Sequence, residues 1–185
     1  MSQNPKAKQT QERIFKACQT ILLEHGSKGL TLDAVAEQAK LSKGGLLYHF
    51  PNKETLVKEL FQYIMSSFDT EITRLAEQTS DEKGSWLQAY AKGSMKQALN
   101  PEISKLMASL FASVDDFPWI HSYMQEKYDT WQQKVEDSGI DPVIATLFRL
   151  TIDGLWFTEI YQYAPPSEKR RQDILKVLEK LIEDA

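Results

Sequence analysis

The 185-residue sequence has little of what several protein classes require. Its single cysteine, Cys18, excludes an internal disulfide, and its three histidines show no spacing typical of a zinc site. No apolar run approaches the ~20 residues that span a bilayer, and the first residues hold no apolar segment of a secretion signal. We therefore expect a soluble, cytoplasmic protein with no metal, no cofactor and no membrane partner, in which Cys18 is a core residue.

The sequence also lacks the motifs of an enzyme. It shows no nucleophile paired with a base, no phosphate-cradling glycine loop and no cluster of metal ligands. His49 and His121 are far apart in sequence, and both fall in predicted helices. We expect a protein without catalytic activity, although turnover of a bound compound would reopen that possibility.

What the sequence does contain is a run of helical patterns. Hydrophobic residues make up 42% of the chain, which is enough for a packed core, and no stretch alternates as a strand does. The prediction is an all-α protein of about nine helices, in which a three-helix unit precedes a helical bundle. Outside the motif described below, the predicted helices span residues 9–25, about 53–78, 80–99, 101 to about 114, 115–139, 142 to about 163, and 165–183.

Charge is distributed unevenly over a chain whose net charge is −4. Residues 1–58 carry nine Lys or Arg and five Asp or Glu, which gives +4, so the remaining residues carry −8. Lys6 and Lys8 precede the first predicted helix and are expected to form a flexible arm that reaches phosphates. A basic end on an acidic body suits a protein that binds a polyanion at that end. The alternative is a chance fluctuation of solvated surface charge.

The segment 31–53, TLDAVAEQAKLSKGGLLYHFPNK, predicts two short helices joined by a tight turn. Thr31 and Ser42 are good N-cap residues for these helices, and Pro51 closes the second helix. Asn52 is then expected to cap the long helix that follows.

Two glycines near the start of the second helix need an explanation. Gly44 and Gly45 each cost the helix roughly 1 kcal/mol relative to alanine. Without a side chain, their backbone can approach base edges or a phosphate closely, which would compensate for that cost. No acidic residue lies between Glu37 and Glu54 to repel a polyanion.

This segment resembles the helix-turn-helix of the TetR (tetracycline repressor) family. The resemblance is carried by the run SKGGLLYHFPNK and by a set of matching positions, which are Thr31, Val35, Ala36, Ala39, Ser42, Lys43, Gly44, Leu46, Tyr48, His49, Phe50 and Lys53. One position departs from the family, because Leu47 stands where many members carry an aromatic or polar residue that contacts a base. The resemblance implies a helix-turn-helix unit at 1–53 and a helical effector-binding and dimerisation domain at 54–185.

The predicted DNA contacts divide into two groups. Lys43, the backbone of Gly44 and Gly45, and Leu47 against a thymine methyl are expected to face base edges. The phosphate-contacting group comprises Thr31, Ser42, Tyr48, His49 and Lys53. The expected partner is double-stranded DNA with a palindromic operator, bound by one recognition helix from each subunit of a homodimer.

Two further surfaces are predicted in the remaining helices. The middle helices are rich in aromatic residues and methionine, each of which is more often core than ligand contact, but which together suit a small lipophilic or aromatic effector. The candidate ligand residues are Phe68, Trp86, Met107, Phe111, Tyr123, Tyr128 and Trp156. The last two helices are apolar on more than one side, so they either close the monomer core or form the dimer contact. The candidate dimer residues are Leu150, Gly154, Phe157, Leu178, Leu181 and Ile182.

The function predicted from these features is a DNA-binding repressor that an effector releases from its operator. The long helix that starts at Lys53 would transmit effector binding to the DNA-binding end. The alternative is a regulator or activator that works through a protein partner without a small-molecule effector.

Overall fold

The computed structural model describes residues 5–78 and 83–185, and all regular structure in these residues is helical. This confirms the predicted all-α class. The nine described helices are α1 (Pro5–Gly29), α2 (Leu32–Gln38), α3 (Lys43–His49), α4 (Lys53–Glu77), α5 (Ser85–Ala98), α6 (Pro101–Phe111), α7 (Trp119–Glu136), α8 (Pro142–Tyr161) and α9 (Glu168–Glu183).

Two helix starts in the second part of the chain follow capping residues that the sequence predicts, Asn52 and Asp141. The Asn52 side-chain oxygen accepts from the backbone N–H of Thr55 at 2.8 Å at the start of α4. Asp141 accepts from two backbone N–H groups at the start of α8, and Ser167 accepts from one, that of Arg170, at the start of α9. Such caps each stabilise a helix by about 1 kcal/mol, which explains why the starts could be located from the sequence.

Several predicted boundaries need correction. Lys6 and Lys8 lie in α1 and not in a flexible arm, because α1 already begins at Pro5, a residue that suits a first helical position. Gly26, with φ +66°, interrupts the helical backbone of α1 at the predicted stop. The fifth helix starts at Ser85 and not at residue 80; residues 79–82 lie outside the described part of the chain.

The helices form two compact units. Unit 1 contains the described residues up to Met65 together with Lys105–Phe117. In its core Phe15 contacts the rings of Phe50 and Tyr63, with ring centroids 5.6 and 5.1 Å apart. This packing joins α1, the end of α3 and α4.

Unit 2 contains Ser66–Ser104 and Pro118–Ala185. Its most extensive helix pair is formed by α5 and α8. Gly93 in α5 lies close to α4, since a Cβ built on it would stand 3.1 Å from Ile72 Cγ1. Leu178 and Ile182 of α9 are both 5% exposed and belong to the core of this unit.

Candidate nucleic-acid interface

The turn between α2 and α3 is fixed by side-chain caps at both helices. The Thr31 hydroxyl oxygen accepts from the backbone N–H of Ala34, and the Ser42 hydroxyl oxygen accepts from that of Gly45, each at 3.1 Å. A hydroxyl that accepts one hydrogen bond still carries its own O–H donor. Thr31 and Ser42 are both exposed, so each can cap its helix and still donate to a phosphate oxygen.

Two fully buried side chains anchor α3 on the core of unit 1. Leu46 and Phe50 are both 0% exposed. Burying side chains of this size contributes about 1.5–3 kcal/mol each. The anchoring fixes which side of this seven-residue helix faces outward.

The outward side of α3 carries the residues predicted to contact DNA. Tyr48 is 87% exposed and Leu47 is 37% exposed, an arrangement that no packing inside the protein explains. Lys43 and Gly44 are exposed on the same helix, and a Cβ added to Gly44 would meet no atom within 4 Å. The structure therefore brings Lys43, Gly44, Leu47 and Tyr48 together on one free surface.

The remaining predicted contacts have partners inside unit 1. His49 is half-buried and packs edge-on against the Tyr48 ring, with centroids 5.4 Å apart. Lys53, the first residue of α4, has its ammonium 5.9 Å from the centroid of the Phe117 ring. Gly45 is more enclosed than its neighbour, since an added Cβ would stand 3.2 Å from Ser42 Oγ.

An ion pair between α2 and α3 was not predicted from the sequence. Lys43 Nζ lies 2.8 Å from Asp33 Oδ1, and both side chains are largely exposed. The two residues are ten positions apart, and only the geometry of the turn brings them together. The pair places a carboxylate beside a cation that is expected to face DNA, although the stretch between Glu37 and Glu54 is free of acidic residues.

Comparison with protein families identifies this arrangement. Residues 14–60 match the profile described as bacterial regulatory proteins, tetR family, and residues 84–183 match the tetracyclin repressor-like C-terminal domain. The chain belongs to the TetR family. Its resemblance to that family and its class, a DNA-binding transcriptional regulator, are thereby confirmed.

Solved structures share the TetR fold with this chain at low sequence identity. A TetR-family regulator from Rhodococcus sp. is 20% identical, with a TM-score of 0.69 over 95% of this chain and 99% of that one. A transcriptional regulator from Pseudomonas aeruginosa PAO1 is 17% identical, with a TM-score of 0.74 over 96% and 90%. The multidrug binding protein EbrR, crystallised with malachite green, is 19% identical, with a TM-score of 0.65 over 91% and 96%. No curated protein matches the chain.

Unit 2 of this TetR-family chain holds an aromatic cluster. Tyr90 and Trp131 form its centre, with ring centroids 5.6 Å apart. Of the predicted ligand residues, Phe68 and Trp86 pack on Tyr90 at 6.3 and 5.2 Å, and Tyr128 packs on Trp131 at 5.0 Å. Trp131 and Tyr90 had not been predicted as site residues, because an isolated aromatic residue in a helix is ordinarily core.

The other four candidate ligand residues lie outside this cluster. Trp156 donates its indole N–H to Gln97 Oε1 at 2.9 Å, and the Tyr123 ring lies beside the Lys127 ammonium. Two of the four belong to unit 1, where they are part of its own packing. These are Met107, which is 1% exposed, and Phe111, whose ring packs on Phe61.

A partly buried polar network borders the aromatic cluster. Tyr90 donates to Asp153 Oδ1 at 2.5 Å, and Arg149 Nη1 donates to Asp153 Oδ2 at 2.6 Å. Arg149 also lies over the Tyr128 ring, 5.6 Å from its centroid, and donates to Gln132. Burial raises the pKa of the Asp153 carboxyl above its usual range, although its hydrogen bonds to Tyr90 and Arg149 act in the opposite direction.

The outer face of α8 is apolar and exposed. On α8, Leu147, Leu150 and Phe157 are about half exposed, and a Cβ added to Gly154 would meet nothing within 4 Å. Leu181 on α9 is 41% exposed. Leu178 and Ile182, predicted for the same dimer contact, need correction: their side chains are already buried in the core of unit 2.

The Cys18 side chain is fully buried, as predicted, and burial raises its pKa to about 12, so the thiol stays protonated. Within residues 5–78 and 83–185, no three His, Cys, Asp or Glu side chains are grouped to hold a metal ion. Over the same residues, no helix combines the length and the apolar character that crossing a membrane requires.

Proposed function

We propose that this TetR-family regulator is a homodimeric repressor whose α3 enters the major groove of operator DNA and which a small lipophilic or aromatic effector releases. It has no catalytic role in this proposal. Lys43, the backbone of Gly44 and Gly45, and Leu47 face base edges. The residues that hold phosphates are Thr31, Ser42, Tyr48, His49 and Lys53.

The observation that carries the DNA contact is the two-sided character of α3. Leu46 and Phe50 are fully buried, whereas Lys43, Leu47 and Tyr48 are exposed beside them. A helix held rigidly on one side can present the other side to a groove without rearranging, so little ordering cost opposes binding.

The basic residues support the same orientation. Residues 1–58 carry a net charge of +4 while the rest of the chain carries −8. The basic segment attracts phosphates and the acidic part is repelled by them, so the field favours approach of α3 to the duplex. We keep the functional division at residues 1–53 and 54–185 as part of the proposal.

Dimerisation is supported by the exposed face of α8. Val143, Leu147, Leu150, Gly154 and Phe157 follow a spacing of four and three residues, the pattern of a helix that packs against another helix. Four of them are large apolar side chains between 47% and 66% exposed. A second copy that covers this face would remove apolar surface from water, and two copies would present two α3 helices to half-sites roughly 34–36 Å apart.

Effector binding is the part of the proposal that the aromatic cluster of unit 2 supports. Its rings offer stacking surfaces, and Asp153 lies at its border. The structural neighbour EbrR is a multidrug binding protein that was crystallised with malachite green. Because Trp86 and Trp131 lie in the cluster, a compound that binds there should change tryptophan fluorescence and raise the melting temperature.

One observation favours the alternative, a regulator that acts through a protein partner without a small-molecule effector. Rings in the cluster of unit 2 already pack on one another, with centroids 5.0–6.3 Å apart, so an effector must displace them. The two possibilities are separated by adding a broad panel of lipophilic compounds to the protein–operator complex. Release of DNA supports the effector, and unchanged fluorescence, melting temperature and DNA binding across the panel support the alternative.

The experiment that tests the main proposal is selection of bound duplexes from a random DNA pool, followed by titration of the recovered sequence. A recovered sequence with two inverted half-sites, bound by a dimer in sedimentation, is the expected result. A protein that is monomeric at micromolar concentration, or that ignores duplex DNA even at low salt, contradicts it.

A further inference from the structure

The turn between α2 and α3 contains a lysine in a backbone conformation that favours glycine. Lys40 has φ +54°. Its N–H donates to the carbonyl of Glu37 at 3.0 Å, and the N–H of Leu41 donates to the carbonyl of Ala36 at 2.9 Å. These two bonds form a Schellman motif, and Lys40 occupies the left-handed position that is usually glycine.

The two hydrogen bonds of the motif hold this conformation, but among the described residues no contact of the Lys40 side chain offsets its cost. Lys40 is exposed, and among the described residues its ammonium makes neither a hydrogen bond nor an ion pair. Gln162 shows the contrast, since it has φ +55° at the end of α8 but donates its side-chain amide to the Glu159 carbonyl at 2.6 Å. A strained residue whose side chain makes no compensating contact is a reason to look for a role outside the folded chain.

The position of Lys40 suggests what that role is. It lies three residues before Lys43, so its Cα is within about 11 Å of the first residue of α3. The Lys43 ammonium is paired with Asp33, whereas the Lys40 ammonium is left to solvent. Lysine binds phosphate as a mobile point charge on a flexible stem, which suits a residue beside the helix that enters the groove.

We propose that Lys40 is a DNA-backbone contact, a cation placed at the strained turn where it can reach a phosphate next to the one that α3 approaches. The inference rests on the proposed entry of α3 into the duplex. The alternative for Lys40 is a purely structural role, in which its charge stabilises the C-terminus of α2 through the helix dipole.

Three variants of the full-length protein separate these roles. Lys40→Gly relieves the strain and removes the charge, Lys40→Asn removes the charge with a residue that tolerates the left-handed region, and Lys40→Arg keeps the charge. Lys92→Gln, an exposed position on α5 in unit 2, removes one charge elsewhere and serves as the matched control. Melting temperature and operator affinity at four or five salt concentrations are the two measurements.

Relief of the strain should raise the melting temperature of Lys40→Gly by about 2–4 °C. If Lys40 contacts a phosphate, the same variant also binds DNA more weakly. In both Lys40→Gly and Lys40→Asn the slope of log K against log salt becomes shallower by about 0.9 per bound chain. Lys40→Arg and the Lys92→Gln control keep the original slope. Unchanged slopes in Lys40→Gly and Lys40→Asn, or a melting temperature lowered in both, overturn the inference in favour of the helix-dipole role.

The same data distinguish failure of this inference from failure of the proposed function. Lys43→Ala is measured alongside as a variant of α3 itself. If Lys43→Ala weakens operator binding and the Lys40 variants do not, only the inference about Lys40 is wrong. If the unmodified protein shows no salt-dependent binding to duplex DNA, the proposed function fails as well.

Discussion

Replacing Gly44 with alanine tests whether α3 approaches DNA as closely as its glycines imply. In the protein alone the added methyl group meets no atom within 4 Å, so it causes no clash. Alanine at a compatible helical position stabilises a protein by about 0.4–1 kcal/mol, chiefly because it restricts the unfolded chain. For a chain of this size 1 kcal/mol corresponds to about 2–4 °C in melting temperature.

The same methyl group should weaken DNA binding. If the backbone of Gly44 lies against base edges, the methyl group must displace a groove atom, and we expect a loss of at least about 1.4 kcal/mol, which is tenfold in affinity. The predicted signature is therefore a protein that melts higher and binds its operator more weakly. Few substitutions give opposite changes in these two quantities.

The assay is a melting curve and an operator titration on the same preparation. Ser66→Ala, at an exposed position in α4, is the matched control, because it also improves helix propensity but lies outside α3. It should leave operator affinity unchanged. If Gly44→Ala binds the operator as tightly as the unmodified protein while melting at or above its temperature, close approach to DNA is not the reason for glycine at this position.

Further predictions concern the ion pair, the phosphate contacts and the dimer face. Lys53→Ala should weaken binding to all duplexes and make the salt dependence shallower, whereas Lys43→Ala should also relax sequence preference, which competition titrations with mutated operators measure. Asp33→Asn removes the carboxylate beside Lys43 and should tighten binding to random duplex more than to operator, because the freed ammonium gains unspecific phosphate contacts. If Asp33→Asn and the unmodified protein bind random duplex equally well, Asp33 does not compete with DNA for Lys43. Phe157→Glu, at a half-exposed position of α8, should convert the proposed dimer to a monomer in sedimentation, and a variant that remains dimeric would exclude this face.

The sequence was sufficient to predict the helix-turn-helix because its signals are local. Caps at Thr31 and Ser42 depend on hydrogen bonds that span three residues. Which of the adjacent Leu46 and Leu47 is exposed followed from the family resemblance, because both are large and apolar. The Asp33–Lys43 pair was not predictable in this way, since its geometry depends on how the turn sets one helix against the other.

The conformation of Lys40 was missed for a related reason. A lysine gives no sign of a left-handed backbone, whereas glycine at the same position would have marked the end of α2. The hydrogen bonds of Leu41 and Lys40 to the preceding turn impose the conformation whatever side chain is present. Such a conformation can be identified only when the backbone angles are known. The presence of lysine at this position is what led us to propose the DNA contact.

The last helix shows what apolar periodicity alone leaves undecided. In α9 apolar residues occur on two adjoining stripes, so the pattern predicts two contacts but does not say which is internal. Leu178 and Ile182 are buried within unit 2, whereas Val177 and Leu181, each one position earlier, are 60% and 41% exposed. A step of one residue turns a helix by about 100°, which is enough to move a side chain from the protein's own core to its surface. Val177 and Leu181 thus leave apolar surface exposed on α9, and a second copy that covered them would remove that surface from water.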